Sequence, residues 1–364
     1  MKQRVKKIFN NLEKKPDIIL IKNSSEPFID KNFFYITGLE HGLFESSVAV
    51  LFPDGNIDLI VSKLEEESAG KAVDVNIKTY EKHTELNDLL KESASSCKNI
   101  GLNHTGILHK DYYKLKEILP DAEFFDVSES FLKTRVVKDE LEIKKIRKAC
   151  EIVDKIVSKI PELLNNGMFE YELAAEIDYM MQKNGADKPA FETISSFGKN
   201  TAEPHYSHGS TRLEKNDFVL CDFGACFKKY NSDITRTFMF GKADVKQKEM
   251  YGTVLEAQRV GLENIKPGIK GHEVHDAVHA FIEKSEFKGC FIHSTGHSLG
   301  LAVHDEGVGF APDSEAILKE NMVLTVEPGV YIPGFGGVRI EDDIVIKKEG
   351  YEILTQSTKE LIEI

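Results

Sequence analysis

The apolar run Asp217-Phe218-Val219-Leu220-Cys221-Asp222-Phe223-Gly224-Ala225 is interrupted by Asp222, and Asp233 stands eleven residues later in Asn231-Ser232-Asp233-Ile234-Thr235-Arg236-Thr237. A carboxylate inside a strand is costly unless it is paired or bound to a metal. Two strands joined by a hairpin connection would bring both carboxylates to one point. Taken singly, each aspartate fits a plainer reading as well, because buried Asp is often held by backbone N–H groups or by an arginine.

Two further clusters lie downstream. His293, His297 and His304 fall within twelve residues, in Phe291-Ile292-His293-Ser294-Thr295-Gly296-His297-Ser298-Leu299-Gly300 and His304-Asp305-Glu306-Gly307. A lone histidine is more often a satisfied core or surface residue than a ligand. Three so close together, among glycines that let the backbone approach a ligand, point to a site. Glu327 follows the apolar stretch Leu324-Thr325-Val326, and Glu341 follows Gly337-Val338-Arg339-Ile340. Arg339 and Glu341 are two apart, a spacing that shares a strand face and also fits a plain salt bridge. For Asp342 and Asp343 the expectation is an ordinary role at the start of a strand or in local hydrogen bonding.

Four carboxylates and an imidazole suit hard divalent ions such as Mn²⁺, or Co²⁺ and Zn²⁺. If the carboxylates converge, one pair at about 4 Å repels by on the order of 4 kcal/mol at an effective dielectric of 20. Two divalent ions cancel four negative charges, so electrostatics favours two ions over one. Two ions about 3.5–4 Å apart also generate a hydroxide nucleophile near neutral pH.

The elements that must position these groups are legible in the pattern. Residues 1 to about 130 alternate helices and strands. Asp17-Ile18-Ile19-Leu20-Ile21 reads as a buried strand. Phe33-Phe34-Tyr35-Ile36-Thr37-Gly38 is an aromatic run stopped by glycine. Ser47–Phe52 and Ile57–Val61 flank the turn Pro53-Asp54-Gly55-Asn56 as a hairpin, and Asn99-Ile100-Gly101-Leu102 is a short strand. From Arg135 to about Asn165, apolar residues at helical spacing predict one long amphipathic helix. Further helices are expected at Tyr171–Lys183, Gln247–Asn264 and His272–Lys284, with β-rich chain around them. The pattern is α/β (α+β), with a boundary placed at residues 1–132 and 133–364.

Bulk properties narrow the function classes. The 364 residues carry a formal net charge of −13, which disfavours nucleic-acid binding by a basic surface. No run of 18 apolar residues predicts a membrane span. The basic, polar start of the chain is unlike a signal peptide, which predicts a cytoplasmic protein. Five widely spaced cysteines suit reduced thiols, and none forms a C-x-x-C pair.

Asp222, Asp233, His297, Glu327 and Glu341, in that order and those contexts, resemble the ligand motifs of the pita-bread metallopeptidases, a family that holds methionine aminopeptidase, aminopeptidase P and prolidase. The resemblance covers nearly the whole chain: the part from about Lys138 resembles the catalytic domain, and Asn32–Gly38 lies in a creatinase-type N-terminal domain. It implies a homodimer with two divalent metal ions, Mn²⁺ or Co²⁺ ahead of Zn²⁺. Asp222 would bind one ion bidentately, Asp233 and Glu341 would bridge both, and His297 and Glu327 would complete separate ions. Glu327 is also the implied general base and acid. His205 matches a histidine beside the scissile bond, and His304 one that stabilises the tetrahedral intermediate. His293 matches a histidine lining the proline pocket, while Tyr331 and Arg339 match positions that orient the metal centre or meet the product carboxylate.

The activity implied is an exopeptidase cutting before proline in peptides or dipeptides, a dipeptidase of the prolidase kind ahead of aminopeptidase P. His304-Asp305-Glu306-Gly307 departs from the His-Glu-x-Pro of many members, and this argues mildly against methionine aminopeptidase. The presence of the N-terminal domain argues against it more strongly. The alternative is a pita-bread protein without peptidase activity, such as a creatinase-like enzyme or a peptide-binding module; such members lose ligands, whereas this chain keeps five.

Overall fold

A computed structural model describes residues 1–364, the side chain of Glu306 excepted. The chain divides into two compact units, Met1–Arg135 and Val136–Ile364. No helix is long and apolar enough to cross a membrane among the described residues, and the five cysteines are free thiols.

The first unit is built on six strands, β1 (Ile18–Lys22), β2 (Val48–Leu51), β3 (Ile57–Ser62), β4 (Asn76–Tyr80), β5 (Asn99–Leu102) and β6 (Glu123–Asp126), in the order β4-β3-β2-β1-β5-β6. β1 is apolar on both faces and lies between β2, antiparallel, and β5, parallel. The predicted hairpin is present, with Leu51 opposite Ile57. Asp54 accepts from Asn56 N at 2.9 Å, and Gly55 takes φ +94°, a left-handed value that favours glycine. The aromatic run forms a helix, Lys31–Thr37, capped by Asp30 and stopped at Gly38. Helices His83–Ala94 and His109–Ile118 bury Leu86, Leu90 and Leu115 against Ile18, Leu20 and Ile100 of the sheet.

In the second unit the long helix expected from Arg135 to Asn165 is shorter and interrupted. It runs Glu140–Val157, opened by an Asp139–Glu142 capping box, and a separate turn follows at Ile160–Leu163. Pro161 explains the break: it has no N–H to offer the Val157 carbonyl. The other expected helices lie at Glu170–Lys183, Val245–Glu263 and Gly271–Ile282.

Two antiparallel sheets carry the candidate site. One has the order Ile234–Phe240, Asp217–Phe223, Ile194–Phe197. The other has the order Asp305–Phe310, Gly296–Ser298, Val323–Val326, Asp342–Lys347, Gly350–Ile353, and a hairpin Gly329–Ile332/Gly336–Arg339 stands apart. Arg236, 2% exposed, ties strands to the C-terminal segment. It donates to the carbonyls of Glu341, Ser357 and Thr358 and to Asp342 Oδ1 at 2.7 Å. Asp342 also accepts from Gln258, Thr355 and Lys359, so this buried carboxylate is fully partnered.

Candidate active site

Asp222 sits near the end of its strand, directly opposite Thr235, and Asp233 lies just ahead of the neighbouring strand. The chain between them makes a small hairpin, Ala225–Phe227 with Tyr230–Asn231. Gly224 opens that excursion, and a Cβ there would stand 2.0 Å from Ser232 O. Gly296 is required for the same reason: its Cβ would meet Thr325 O at 2.0 Å. The register shifts between His297 and Ser298, a bulge that re-aims the side chains around it. Beyond it the chain returns, so that the His297 and His304 rings lie 4.2 Å apart. Glu327 leaves the Val323–Val326 strand where Val326 pairs with Asp342, beside Glu341.

These turns bring separate stretches to one cavity of ≈390 Å³. Asp222, Asp233, His297, Glu327, Glu341, His205, His293, His304 and Arg339 all line it, with Phe191, Ile194, Pro204 and Val303 as the apolar part. Tyr331 stands behind the wall. Its hydroxyl is 2.9 Å from His293 Nε2 and 2.8 Å from Arg339 Nη1.

His293 Nδ1 is 2.8 Å from Ser294 O, which only accepts, so Nδ1 carries the proton. Burial, and then Arg339, pull the His293 pKa down to about 3, so the ring is neutral. Nε2 therefore accepts from Tyr331, and Tyr331 accepts from Arg339. The same guanidinium donates to Asp222 Oδ2 at 2.5 Å and to Thr235 Oγ1 at 3.1 Å, and Thr235 donates to Glu341 Oε2 at 2.6 Å. Arg339 thus links Tyr331 and His293 to two carboxylates, Asp222 directly and Glu341 through Thr235.

Two threonines were not singled out from sequence. Thr325 Oγ1 accepts from His297 N at 3.0 Å and donates to Glu327 Oε1 at 3.2 Å. Thr235 holds Glu341 as described. The signal was present as alternation: Thr325 and Glu327, like Asp233 and Thr235, are two residues apart. Asp342 and Asp343 do open their strand, as expected, but their hydrogen bonds are not local. Asp343 Oδ2 accepts from Asp233 N at 2.9 Å and lies 3.3 Å from Cys150 Sγ, contacts that span 110 and 193 residues of chain. The partners of Asp342 include Arg236 and Gln258, which are likewise remote in sequence.

The electrostatics of the cluster call for positive charge. Burial, and then the charge of Glu341, push the Asp233 carboxyl well above the usual range; burial, and then Glu327, do the same to Glu341. Burial pushes Glu327 up to about 7 against the pull of Arg339. Burial also lowers the pKa of His297 and of His304. His297 Nδ1 faces Ser298 O at 3.3 Å and so holds the proton, which leaves the Nε2 lone pair facing Glu327 Oε1 at 3.4 Å and Asp233 Oδ2 at 3.6 Å. Asp222 Oδ1 and Asp233 Oδ1 are shielded from solvent without a hydrogen-bond partner. One ligand atom each from Asp233, His297 and Glu341 lie within 4.8 Å of one another. Acceptors facing acceptors, with oxygens left over, is a donor set that fits divalent cations.

Comparison with known proteins agrees with this chemistry. Residues 144–348 match Metallopeptidase family M24, and residues 4–137 match the Creatinase/Prolidase N-terminal domain. The Xaa-Pro dipeptidase of Pyrococcus horikoshii is 38% identical over 366 residues, covering 100% of this chain and 99% of that one. The crystal structure of the prolidase from Pyrococcus horikoshii superposes with a TM-score of 0.89 at 37% identity, over 99% of this chain and 100% of its own. The X-Pro aminopeptidase from Thermotoga maritima does so with a TM-score of 0.90 at 30% identity, over 96% and 98%.

Proposed function

The chain belongs to metallopeptidase family M24, and from that premise we propose that it is a metal-dependent exopeptidase hydrolysing Xaa-Pro bonds, a Xaa-Pro dipeptidase ahead of a Xaa-Pro aminopeptidase. The observation that carries the reading is the convergence of Asp222, Asp233, His297, Glu327 and Glu341 on one cavity, with the Arg339–Tyr331–His293 chain at its side. Residues 1–132 form the creatinase-type domain in this proposal, and 133–364 the catalytic domain.

The five residues would hold two divalent ions, Mn²⁺ or Co²⁺ before Zn²⁺, a choice supported by the excess of carboxylate oxygen over nitrogen. Such ions supply positive charge that activates water near neutral pH and offsets negative charge developing on the scissile carbonyl oxygen. The protein's own groups do the rest. Glu327, steadied by Thr325, takes a proton at its carboxylate and returns it to the leaving proline nitrogen. His304 and His205 line the cavity as donors toward the tetrahedral oxygen and the scissile bond. His293, neutral, and Arg339 orient the proline end of the substrate. Phe191, Ile194 and Val303 exclude water around it. A homodimer is proposed from the family resemblance, and a reducing, cytoplasmic setting suits the five free thiols.

The aminopeptidase reading is kept because the Thermotoga maritima X-Pro aminopeptidase superposes as well as the prolidase does. Chelator-treated protein restored with Mn²⁺ or Co²⁺ should cleave an Xaa-Pro dipeptide more than about tenfold faster than an Xaa-Pro-Yaa tripeptide. Faster cleavage of the tripeptide would favour the aminopeptidase, and hydrolysis of neither would refute the proposal.

A further inference from the structure

The first unit holds a cavity of its own, ≈60 Å³, between helices His83–Ala94 and His109–Ile118 at the carboxyl end of β1. The carboxyl ends of strands in sheets covered by helices are where ligands bind. The polar lining is unusual in what it leaves unused. Asn87 Oδ1 and Asp111 Oδ2 are shielded from solvent and accept no hydrogen bond. Lys22, the last residue of β1, donates from Nζ to Asn23 O at 2.5 Å, which leaves two of the three ammonium hydrogens. Lys22 and Asp111 feel each other's charge across the cavity without pairing. Leu86, Leu90 and Leu115 supply an aliphatic floor.

Ser46, His83 and a second cation, Lys114, complete the polar lining, so an occupant that satisfies it donates to Asp111 and Asn87, accepts from Lys22 on the side that Lys114 makes more positive, and presents hydrocarbon to the leucines. A simple anion leaves Asp111 unsatisfied and repelled. A simple amine leaves Lys22 in the same position. A zwitterion satisfies both. On this volume scale one water needs about 10–15 Å³, so the cavity has room for about four to six waters. That matches a molecule no larger than a small amino acid.

We propose that this cavity binds a small aliphatic α-amino acid, its ammonium group on Asp111 and Asn87 and its carboxylate on Lys22. The inference stands on the first unit alone and is independent of the peptidase reading.

Calorimetric titration of the full chain with L-alanine, acetate and methylamine tests it. L-Alanine should bind with a dissociation constant on the order of 1 mM. Lys22→Met and Asp111→Asn should each weaken that binding by at least about tenfold, and acetate and methylamine should each bind at least about tenfold more weakly than alanine. Three results would overturn the proposal: no heat up to about 50 mM alanine, an alanine affinity unchanged in the variants, or acetate or methylamine binding as tightly as alanine. If Lys22→Met does not fold, Asp111→Asn decides.

Discussion

Arg339 Nη2 and Asp222 Oδ2 lie 2.5 Å apart, and the guanidinium that makes this bond also holds Tyr331 through Nη1 and Thr235 through Nε. Each of the three guanidinium nitrogens is engaged with a different partner, and a lysine, whose donors all sit on one nitrogen, cannot span the three. Arg339→Lys should lower kcat/KM about 100-fold and metal affinity about tenfold. Steady-state kinetics and calorimetric metal titration check both. Wild-type values for both would show that the fork does not organise the centre.

Asp233 and Glu341 take the central position in the proposed ligand set. Asp233→Ala and Glu341→Ala should each lose bound divalent ion and abolish hydrolysis. Metal content measured by elemental analysis after dialysis, alongside activity, checks this. Two ions per chain with normal turnover in either variant would refute the bridging assignment. Chelation of the wild-type protein should lower its melting temperature, because ions that bind only the folded chain stabilise it.

His304 lies against His297 but is assigned to the reacting oxygen rather than to an ion. His304→Ala should reduce turnover about 100-fold, the effect of removing one preorganised donor, while metal content stays at the wild-type level. Loss of the metal would make His304 a ligand or a support instead.

Arg236 is buried and bonded to Asp342 and to the carbonyls of Glu341, Ser357 and Thr358. Arg236→Met leaves Asp342 with a buried charge short of one partner. Stability in urea should fall by about 3–5 kcal/mol. A loss below about 1 kcal/mol would show that Lys359, which is also bonded to Asp342, suffices.

Lys22 gives a pH-dependent prediction. Burial pulls its pKa down to about 8, with Asp111 opposing and Lys114 and Lys110 adding to the shift. The unfolded chain holds this proton to about pH 10.4, so between about pH 8 and 10 the unfolded state binds more protons and stability rises with pH. At pH 7 the folded protein carries the burial penalty in full. Lys22→Met should therefore be more stable than wild type at pH 7, by on the order of 2 kcal/mol after a discount for partial exposure. The gap should narrow as pH approaches 10. Urea unfolding at several pH values measures it, and a gap that widens would reverse the assignment.

Most elements and the candidate residues are legible in local sequence. Alternating apolar runs gave the Val48–Ser62 hairpin because Pro53-Asp54-Gly55-Asn56 has local turn chemistry that needs no tertiary context. A carboxylate in an apolar strand announces itself because burying it alone is costly, and this made Asp222, Asp233, Glu327 and Glu341 visible. The break after Val157 is also written locally, in Pro161, although apolar residues keep helical spacing across it.

How those residues are held depends on contacts between distant parts of the chain. Thr235 and Thr325 are unremarkable residue types in a strand, Asp343 passes for an ordinary strand opener, and their roles come from partners up to 193 residues away. The polarity of the Arg339–Tyr331–His293 chain needed the carbonyl of Ser294 in place before a tautomer could be assigned. The cavity at Lys22 has no motif, because it depends on what two helices leave unpaired when they pack on one sheet. Hydrophobic periodicity and turn chemistry act over a few residues and can be read in order along the chain. Hydrogen bonding and charge compensation act through space, and the fold alone sets which groups meet.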